Sequence, residues 1–331
     1  MKNTILVIVA VCLLLSNPVS GATRDNKLRI GWVYAMANMP ILVADKKGFF
    51  KEQGIDVEIR RFNSGPLINR ALRAGDLDMA YIGMPPVYHA YEKGLKLKIV
   101  AKVNHGQAAI IVRKDSAIKQ LSDLKGKRIA GVRNGSGMDV LLRGFILDDI
   151  AGLNPDKDLT IVHMPAKIMQ ASVDKGVVDA AFTWEPFVTQ AIVTGQSRVL
   201  FDMNQAVNKY PWYVVAATED TIHLNFDLMS KALNAHQKAV RFMNESPDEA
   251  NLIVAEAFNL YAINTQTGSK IDPVVIVEQA RSRIGWSFQF EKEDKQFLQK
   301  LIDYSHRLGF IKKKINADEI IDQSVIGSVY K

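Results

Sequence analysis

Cysteine, long hydrophobic runs and runs of like charge are all scarce in this sequence. Its 331 residues include one cysteine, Cys12, which excludes an intramolecular disulfide and a cluster of thiolate metal ligands. The longest apolar run, residues 5–15, is too short for a bilayer core of about 30 Å. The 42 Lys and Arg and the 35 Asp and Glu are interspersed, so the net charge of +7 indicates a solvated surface. We therefore expect no nucleic-acid partner.

The common enzyme motifs are also missing. A phosphate-binding G-x-x-x-x-G-K-[ST] loop does not occur, and Gly-Ser-Gly at 135–137 completes neither a dinucleotide-binding nor a nucleophile-elbow pattern. The six histidines are widely separated, and none has the spacing of a metal-binding pair. We therefore expect no catalytic residues, no metal and no cofactor. A fold can still bring distant residues together, so a hydrolase stays open at this point.

Residues 1–22 have the three parts of a secretory signal peptide. Lys2 gives a short basic end, residues 5–15 form the apolar core, and residues 18–22 contain a proline and small side chains. This pattern predicts cleavage near residue 22 and export to the periplasm. Cys12 follows Val11, which is not the small residue that lipoprotein processing needs. We expect a thiol-free mature chain, whose side-chain charge falls from +7 to +6 with the loss of Lys2.

Two patterns divide the rest of the chain. Up to about residue 218, short β-branched runs alternate with amphipathic stretches, which predicts α/β units around mainly parallel sheets. The expected strands are 28–33, 56–62, 78–82, 96–103, 107–112, 127–132, 160–163, 177–183 and 212–217. From residue 227 onward the pattern is helical, with Pro247 at the first position of one helix.

An internal repeat indicates two similar units. Residues 75–87 and 176–188 share the pattern G-x-x-D-x-A-[YF]-x-x-x-P-x-V, at a shift of 101 residues. Each copy predicts a turn at glycine, a buried strand and a helix that begins near a proline. Any α/β unit can reuse such a turn, so coincidence is the alternative. Otherwise the repeat predicts two lobes, with ligands at the carboxyl ends of the strands.

Small and polar residues follow four of the predicted strands, where helices should begin. They are residues 63–65, 83–86, 133–138 and 184–186. Helix N-termini carry unbonded N–H groups and a partial positive charge, so several of them around one cleft would bind an anion. For each serine or asparagine alone, capping of its own helix is the simpler interpretation.

Taken in order, these segments resemble the solute-binding proteins of nitrate, sulfonate and taurine ABC importers. The likeness is carried by GFFKEQGIDVE at 48–58 and by residues 63–65, 74–78, 83–86, 121–130 and 184–186. It covers residues 28–218 well and the C-terminal helices only in general character. The resemblance implies a type II periplasmic binding protein, with two α/β lobes, a two-strand hinge and a helical C-terminal region. Lobe one would comprise 28–111 and 215–331, lobe two would comprise 112–214, and the hinge would lie near 110–113 and 213–216.

Carried onto this chain residue by residue, the family's pocket falls in loops of both lobes. It would contain Tyr34, Met36, Asn38, Asn63, Ser64, Gly83, Met84, His105, Ser136, Met138, Trp184 and Glu185. Trp184 would contact the apolar body of an organic ligand, and Glu185 would bind an amine or stabilise the start of its own helix. Met84 and Pro85 stand where taurine-binding members have hydroxyl residues. This favours a larger, partly apolar anion such as a sulfonate.

The resemblance implies a periplasmic, non-enzymatic protein that delivers a small organic ligand to an ABC permease and its ATPase. An aromatic carboxylate or a heterocycle stays open as the ligand. One alternative is an enzyme on the same scaffold, like those that synthesise the thiamine pyrimidine, although a thiol-free chain cannot supply their cysteine-rich motif. The other is a periplasmic sensor module. We expect a monomer.

Overall fold

The computed structural model describes residues 27–322 and 324–329, which form two lobes around two five-stranded sheets. The predicted signal peptide at 1–22, with Cys12, lies outside the described residues. Within residues 27–322 and 324–329, no helix is long and apolar enough to cross a bilayer.

The strands and helices follow each other as the alternating pattern predicts. The strands are β1 (Lys27–Val33), β2 (Asp56–Phe62), β3 (Met79–Gly83), β4 (Leu97–Lys102), β5 (Asn104–Gly106), β6 (Ala108–Arg113), β7 (Arg128–Gly131), β8 (Thr160–His163), β9 (Ala180–Trp184), β10 (Ser197–Asp202), β11 (Tyr213–Thr218), β12 (Ile263–Asn264), β13 (Lys270–Ile271) and β14 (Ile284–Trp286). The helices are α1 (Met39–Lys46), α2 (Phe49–Glu52), α3 (Gly65–Arg73), α4 (Met84–Glu92), α5 (Gly137–Val140), α6 (Ala166–Asp174), α7 (Phe187–Val193), α8 (Met203–Ala206), α9 (Glu219–Leu224), α10 (Phe226–Glu245), α11 (Pro247–Ala257), α12 (Pro273–Ala280), α13 (Lys292–Arg307) and α14 (Ser324–Val329). Helix α5 continues directly as a wider, π-type helix over Leu141–Ile150, and we call the two together the 137–150 helix. Short 3-10 turns cover Met36–Asn38, Leu121–Leu124 and Ala317–Ile320.

The two sheets repeat one arrangement. The strand order is β2-β1-β3-β11-β4 in the first sheet and β8-β7-β9-β6-β10 in the second. In each sheet the first three strands are parallel, and the fourth is antiparallel to both of its neighbours. That fourth strand enters from the opposite lobe and therefore runs against its neighbours. The prediction of mainly parallel sheets is wrong for half of the pairings for this reason.

Every strand predicted from the sequence is present, with ends that differ by three residues at most. Strand β10 was missed because its apolar residues form a short run between polar ends and do not alternate. It lies at the edge of the second sheet, antiparallel to β6. The helical C-terminal region is confirmed: beyond β11 the described strands have only two or three residues each.

The internal repeat is also a structural repeat. In lobe one, the Asp78 carboxylate accepts the backbone N–H of Arg29 at 2.8 Å, and the Arg29 guanidinium donates to the carbonyl of the turn glycine at 2.6 Å. In lobe two, Asp179 accepts the N–H of Arg128 at 2.7 Å, and Arg128 donates to the equivalent glycine carbonyl at 2.9 Å. Each copy thus ties its turn to the start of the neighbouring strand.

The chain passes between the sheets through residues 103–107 and 203–212. These two crossing segments are bonded to each other, since the Gly106 N–H donates to the Tyr210 carbonyl at 2.9 Å. The Tyr210 hydroxyl also accepts the N–H of Ala108, the first residue of β6, at 2.9 Å. Strand β6 lies wholly in the second sheet and β11 wholly in the first. The sheets therefore divide the chain a few residues before the expected boundaries at 111/112 and 214/215. Whether the lobes move as separate bodies stays a prediction.

The long C-terminal helix α13 is fixed to lobe one by buried polar contacts. The hydroxyls of Tyr88, on α4, and Ser305 lie 2.8 Å apart. Near the other end of the helix, Lys102 Nζ of β4 lies 2.6 Å from Asp294 Oδ2. Both contacts are buried, so α13 is part of lobe one.

Candidate functional site

Two helices from opposite lobes meet at their first turns. Helix α4 follows β3 of lobe one, and α5 follows β7 of lobe two. A Cβ on Gly137 would lie 2.7 Å from Cγ of Pro85, and a Cβ on Gly135 would lie 3.2 Å from the ring of Phe310. Ligands of open α/β sheets bind beyond the carboxyl ends of the strands. We therefore take the space between the carboxyl ends of the two sheets, called the cleft here, as the candidate site.

The crossing segments form the floor of the cleft. The Met84 N–H donates to the Trp212 carbonyl at 3.1 Å, and the Glu185 N–H donates to the Gln107 carbonyl at 3.0 Å. The turn at Met84 in lobe one and the turn at Glu185 in lobe two are thereby hydrogen-bonded to the floor of the cleft. Gln107 is buried with a φ of 136°, and its amide oxygen has no hydrogen-bond partner among the residues that the structure describes.

Asn38 presents a buried acceptor at the end of the first loop of lobe one. Its Nδ2 donates to the Val33 carbonyl at 2.8 Å, which fixes the orientation of the amide. Its Oδ1 is buried and has no partner in the described part of the chain. Met36 and Met84, also predicted for the site, are fully buried. The loop therefore offers one polar atom among apolar side chains.

Tyr34 packs against the end of α11. Its ring stacks on Phe258 at 4.3 Å between centroids, and its hydroxyl donates to the Phe258 carbonyl at 2.8 Å. The guanidinium of Arg61 lies 5.0 Å from the same ring. These contacts occupy the side chain within the protein. A contact between Tyr34 and the ligand stays a prediction, and the contacts with Phe258 and Arg61 do not favour it.

The other lobe-one candidates differ in exposure. Asn63 is exposed, and Ser64 precedes α3 without a side-chain capping bond. A Cβ on Gly83 would lie 3.9 Å from Nε1 of Trp212, so Gly83 lies at the floor of the cleft. His105 packs against β14, with Nδ1 3.5 Å from the Ser287 hydroxyl. Burial lowers the pKa of His105 to about 4, with help from nearby lysines, so its ring is neutral at pH 7.

In lobe two, the turn around Ser136 is held by a buried carboxylate. The Ser136 hydroxyl accepts the Asp139 N–H at 3.4 Å, and Asp139 Oδ2 accepts the Gly135 N–H at 2.9 Å. Arg143 donates to the other Asp139 oxygen at 3.0 Å. Burial nevertheless raises the pKa of Asp139. Ser136 thus caps its own helix, as the simpler interpretation expects, and Met138 is buried just behind it.

Trp184 and Glu185 end strand β9 in different environments. Trp184 is partly buried, with its ring edge-on to Phe187 at 6.1 Å. Glu185 is fully buried: one oxygen accepts the Thr189 N–H at 3.1 Å, and the other lies 3.3 Å from Nη1 of Arg283. Burial raises the pKa of Glu185 to about 7, although Arg283 opposes the shift. These contacts support the role at the start of its own helix more than binding of a ligand amine.

The helix starts around the cleft use some of their N–H groups internally. In α4, Pro85 and Pro86 have no N–H, and Met84 donates to a backbone carbonyl. The starts of α5 and α7 are bonded by the side chains of Ser136 and Glu185. An anion would therefore meet fewer free amides at these three turns than the sequence predicts.

Sequence reasoning missed several residues at the floor of the cleft. Gln107, Tyr210, Trp212 and Arg283 were not among the candidates. Trp212 had a signal, since it is an aromatic residue directly after a proline and at the first position of a predicted strand. Arg283 had none, because it meets Glu185 across 98 positions of sequence. Among residues 27–322 and 324–329, no three His, Cys, Asp or Glu side chains are grouped to hold a metal ion.

Comparison with known proteins fits this architecture. The model of the NMT1-like family matches residues 21–258, well over half of the chain. The chain belongs to the NMT1-like family. This confirms the resemblance that the ordered motifs indicate.

Individual similar proteins cover nearly the whole chain. A Bacillus subtilis protein named for binding aliphatic sulfonates is 27% identical, over 98% of this chain and 96% of its own. The periplasmic aliphatic sulphonate binding protein SsuA of Escherichia coli has a TM-score of 0.77 at 22% identity, covering 90% of this chain and 92% of its own. The alkanesulfonate-binding protein SsuA of Xanthomonas axonopodis pv. citri, solved with MOPS bound, has a TM-score of 0.74 at 21% identity, covering 90% and 99%. The two structures confirm the periplasmic binding protein fold.

Proposed function

We propose that this NMT1-like protein is the periplasmic solute-binding component of an ABC importer. It captures one small organic ligand between its lobes and delivers it to the permease and its ATPase. The observation that carries this proposal is the meeting of Pro85 and Gly137, which brings the carboxyl ends of both sheets around one cleft. Closure of the lobes over the ligand would distinguish the loaded form from the empty one.

For the ligand we propose a sulfonate that has an apolar body and also carries an N–H or O–H group. Relatives named for sulfonate binding support the acid group. The partly buried ring of Trp184 keeps accessible surface and suits an apolar body. Met36 and Met84 are the apolar side chains predicted for the same site. Asn38 Oδ1, which has no hydrogen-bond partner among the described residues, would accept a hydrogen bond from the ligand. A simple alkanesulfonate lacks such a donor, whereas taurine and the protonated ring of MOPS have one.

Calorimetry and thermal shift against matched sulfonates test this proposal. The panel is taurine, ethanesulfonate, MOPS and propanesulfonate, and we expect the two amine-bearing members to bind more tightly than their partners. Trp184→Ala should weaken binding about tenfold, as loss of a large aromatic contact does. Tyr261→Ala is the matched control, because Tyr261 is 73% exposed. No heat and no thermal shift with any member would overturn the proposal.

Import is preferred over the enzyme and sensor alternatives because the relatives above are named for binding. Nuclear magnetic resonance of a bound sulfonate over several days should show the ligand unchanged. Stimulation of the partner permease's ATPase by the loaded protein would support import. Conversion of the ligand would support an enzyme, and docking to a receptor kinase instead of a permease would support a sensor.

Export and a monomeric state belong to the same proposal. Expressed with residues 1–22, the protein should appear in the osmotic-shock fraction with a mass that corresponds to cleavage near residue 22. Light scattering on that material should give the mass of one chain. Cytoplasmic retention of the uncleaved chain would contradict the periplasmic assignment.

A further inference from the structure

One helix of lobe two contacts both the cleft and the C-terminal part of lobe one. The 137–150 helix begins at the Ser136 turn, and its second half lies against α13. At Gly144 the two helices are so close that a Cβ would lie 2.7 Å from Cβ of Tyr304 and 2.8 Å from its Cγ. The Cβ of Tyr304 is fixed by the backbone, so a change of rotamer cannot move it away.

Aromatic packing continues this contact. The ring of Phe145 lies 6.0 Å from that of Tyr304 and 6.2 Å, edge-on, from that of Phe297. All three side chains are buried. Separation of the two helices would expose them to water, which is unfavourable.

The end of the contact is polar. Arg307 Nη2 lies 2.7 Å from Asp148 Oδ2 and 3.0 Å from Asp149 Oδ1, and the Tyr304 hydroxyl donates to Asp149. Arg307 also donates to the Gly144 carbonyl at 3.4 Å. The charged side chains are about half exposed, so each ion pair contributes modestly.

We propose that this contact is a closure interface that sets ligand affinity from outside the cleft. We call it the clasp, formed by Gly144, Phe145, Asp148, Asp149, Tyr304 and Arg307. Helix α13 is fixed to lobe one through Ser305 and Asp294, whereas the 137–150 helix follows β7 of lobe two. Opening of the lobes would therefore break the clasp. The inference rests on the proposed function, since it concerns the affinity for that ligand.

The clasp is coupled to the cleft mechanically, through the helix that contacts both. The same helix carries the Ser136 turn at its first residues and the clasp at its last turns. Separation at the clasp would move the turn away from Pro85 and widen the cleft. Contacts that exist only in the closed form shift the equilibrium toward it, and ligand affinity rises in proportion to the closed population.

Two variants and one control test the clasp. Gly144→Ala places a methyl group against Tyr304, and Arg307→Gln removes the charge from the polar end. Arg128→Gln is the control, because Arg128 pairs with Asp179 inside lobe two and is 50% exposed, against 51% for Arg307. The readouts are the affinity and dissociation rate for the sulfonate that wild type binds best in the panel above, and small-angle scattering of the ligand-free protein.

We expect Gly144→Ala to weaken binding about tenfold, and Arg307→Gln to weaken it about two- to fivefold, the range for a partly exposed ion pair. Most of the change should be in the dissociation rate. The ligand-free variants should have a larger radius of gyration than wild type, whereas Arg128→Gln should match wild type.

The inference is overturned if folded Arg307→Gln and Gly144→Ala both keep the affinity and the scattering of wild type. It is also overturned if the two variants lose stability but keep wild-type affinity. Wild-type binding would then leave the proposed function intact. If wild type binds no sulfonate, the proposed ligand fails, and scattering of the ligand-free variants still decides whether the clasp holds the lobes together. If Gly144→Ala does not fold, Arg307→Gln alone decides.

Discussion

Glu185 and Arg283 face each other across the floor of the cleft at 3.3 Å. Glu185 has no exposed side-chain surface, and the Arg283 Nε lies 3.2 Å from Asp202 Oδ2. Both carboxylates belong to lobe two, whereas Arg283 follows α12 in the C-terminal region. The Arg283 carbonyl also accepts from Asn204 Nδ2, in the second crossing segment, at 2.9 Å. One guanidinium thus joins the end of β9, the end of β10 and the C-terminal helices.

The first prediction concerns the titration of Glu185. Burial raises its pKa from 4.5 to about 7, so the folded state binds a proton more tightly than the unfolded chain does. The contribution of this group to stability is fully present below about pH 4.5 and is lost as the pH rises through 7. A shift of this size corresponds to about 3 kcal/mol.

Chemical unfolding at pH 5 and pH 8 checks this prediction. The fall in the free energy of unfolding between these two pH values should be smaller in Glu185→Gln than in wild type, by about 2–3 kcal/mol. Glu245→Gln, at an exposed position, should behave as wild type does. An identical pH dependence in wild type and Glu185→Gln would show that the Glu185 carboxyl is not desolvated in solution.

The sequence predicts the fold well because its signals are local. The turn, the strand and the start of the following helix in each repeat copy lie within one motif of 13 residues, so the motif alone predicts them. The candidate site is predicted less well because side-chain partners come from distant segments. Tyr34 meets Phe258 across 224 positions, and Glu185 meets Arg283 across 98. Periodicity and composition carry no information on such pairs.

The second prediction concerns the buried pair of Lys102 and Asp294. Their charged atoms lie 2.6 Å apart, and the side chains are 6% and 5% exposed. Lys102→Met should lower the free energy of unfolding by about 3–5 kcal/mol, because it leaves a buried carboxylate without its cation. The double variant Lys102→Met/Asp294→Leu should cost less than the sum of the single variants, since no buried charge remains.

Urea unfolding of the three variants gives this comparison. The control is Lys46→Met, because Lys46 pairs with Glu256 at 2.8 Å on an exposed surface. That change should cost no more than about 1 kcal/mol. Additive costs for Lys102 and Asp294 would mean that the two groups do not interact in the folded protein.

The third prediction separates packing from ligand binding at Tyr34. Tyr34→Phe keeps the ring stack on Phe258 but removes the hydroxyl that donates to its carbonyl. We expect a loss of about 1 kcal/mol in the free energy of unfolding, as for a typical hydrogen bond. Ligand affinity should stay within about twofold of wild type. A large loss of affinity at unchanged stability would restore Tyr34 to the ligand site.

The fourth prediction concerns Gly106 in the first crossing segment. Its φ is +69°, and a Cβ would lie 2.0 Å from the Arg283 carbonyl oxygen and 2.7 Å from Asn204 Oδ1. Because backbone oxygen cannot rotate away, Gly106→Ala should cost more than about 4 kcal/mol or prevent folding. Gly48→Ala is the control, since Gly48 has a φ of +74° and no atom of the described residues lies within 4 Å of the added Cβ.

The control should cost only about 1–2 kcal/mol, which is the price of a left-handed conformation for alanine. The difference between the two variants, measured by thermal and urea unfolding, then isolates the contact of Gly106 with residue 283. If Gly106→Ala costs no more than Gly48→Ala, the crossing segment does not pack against residue 283 in solution. The neighbouring arrangement of Glu185, Asp202 and Arg283 would then have to differ as well. The effect of Glu185 on the pH dependence of the free energy of unfolding would change in consequence.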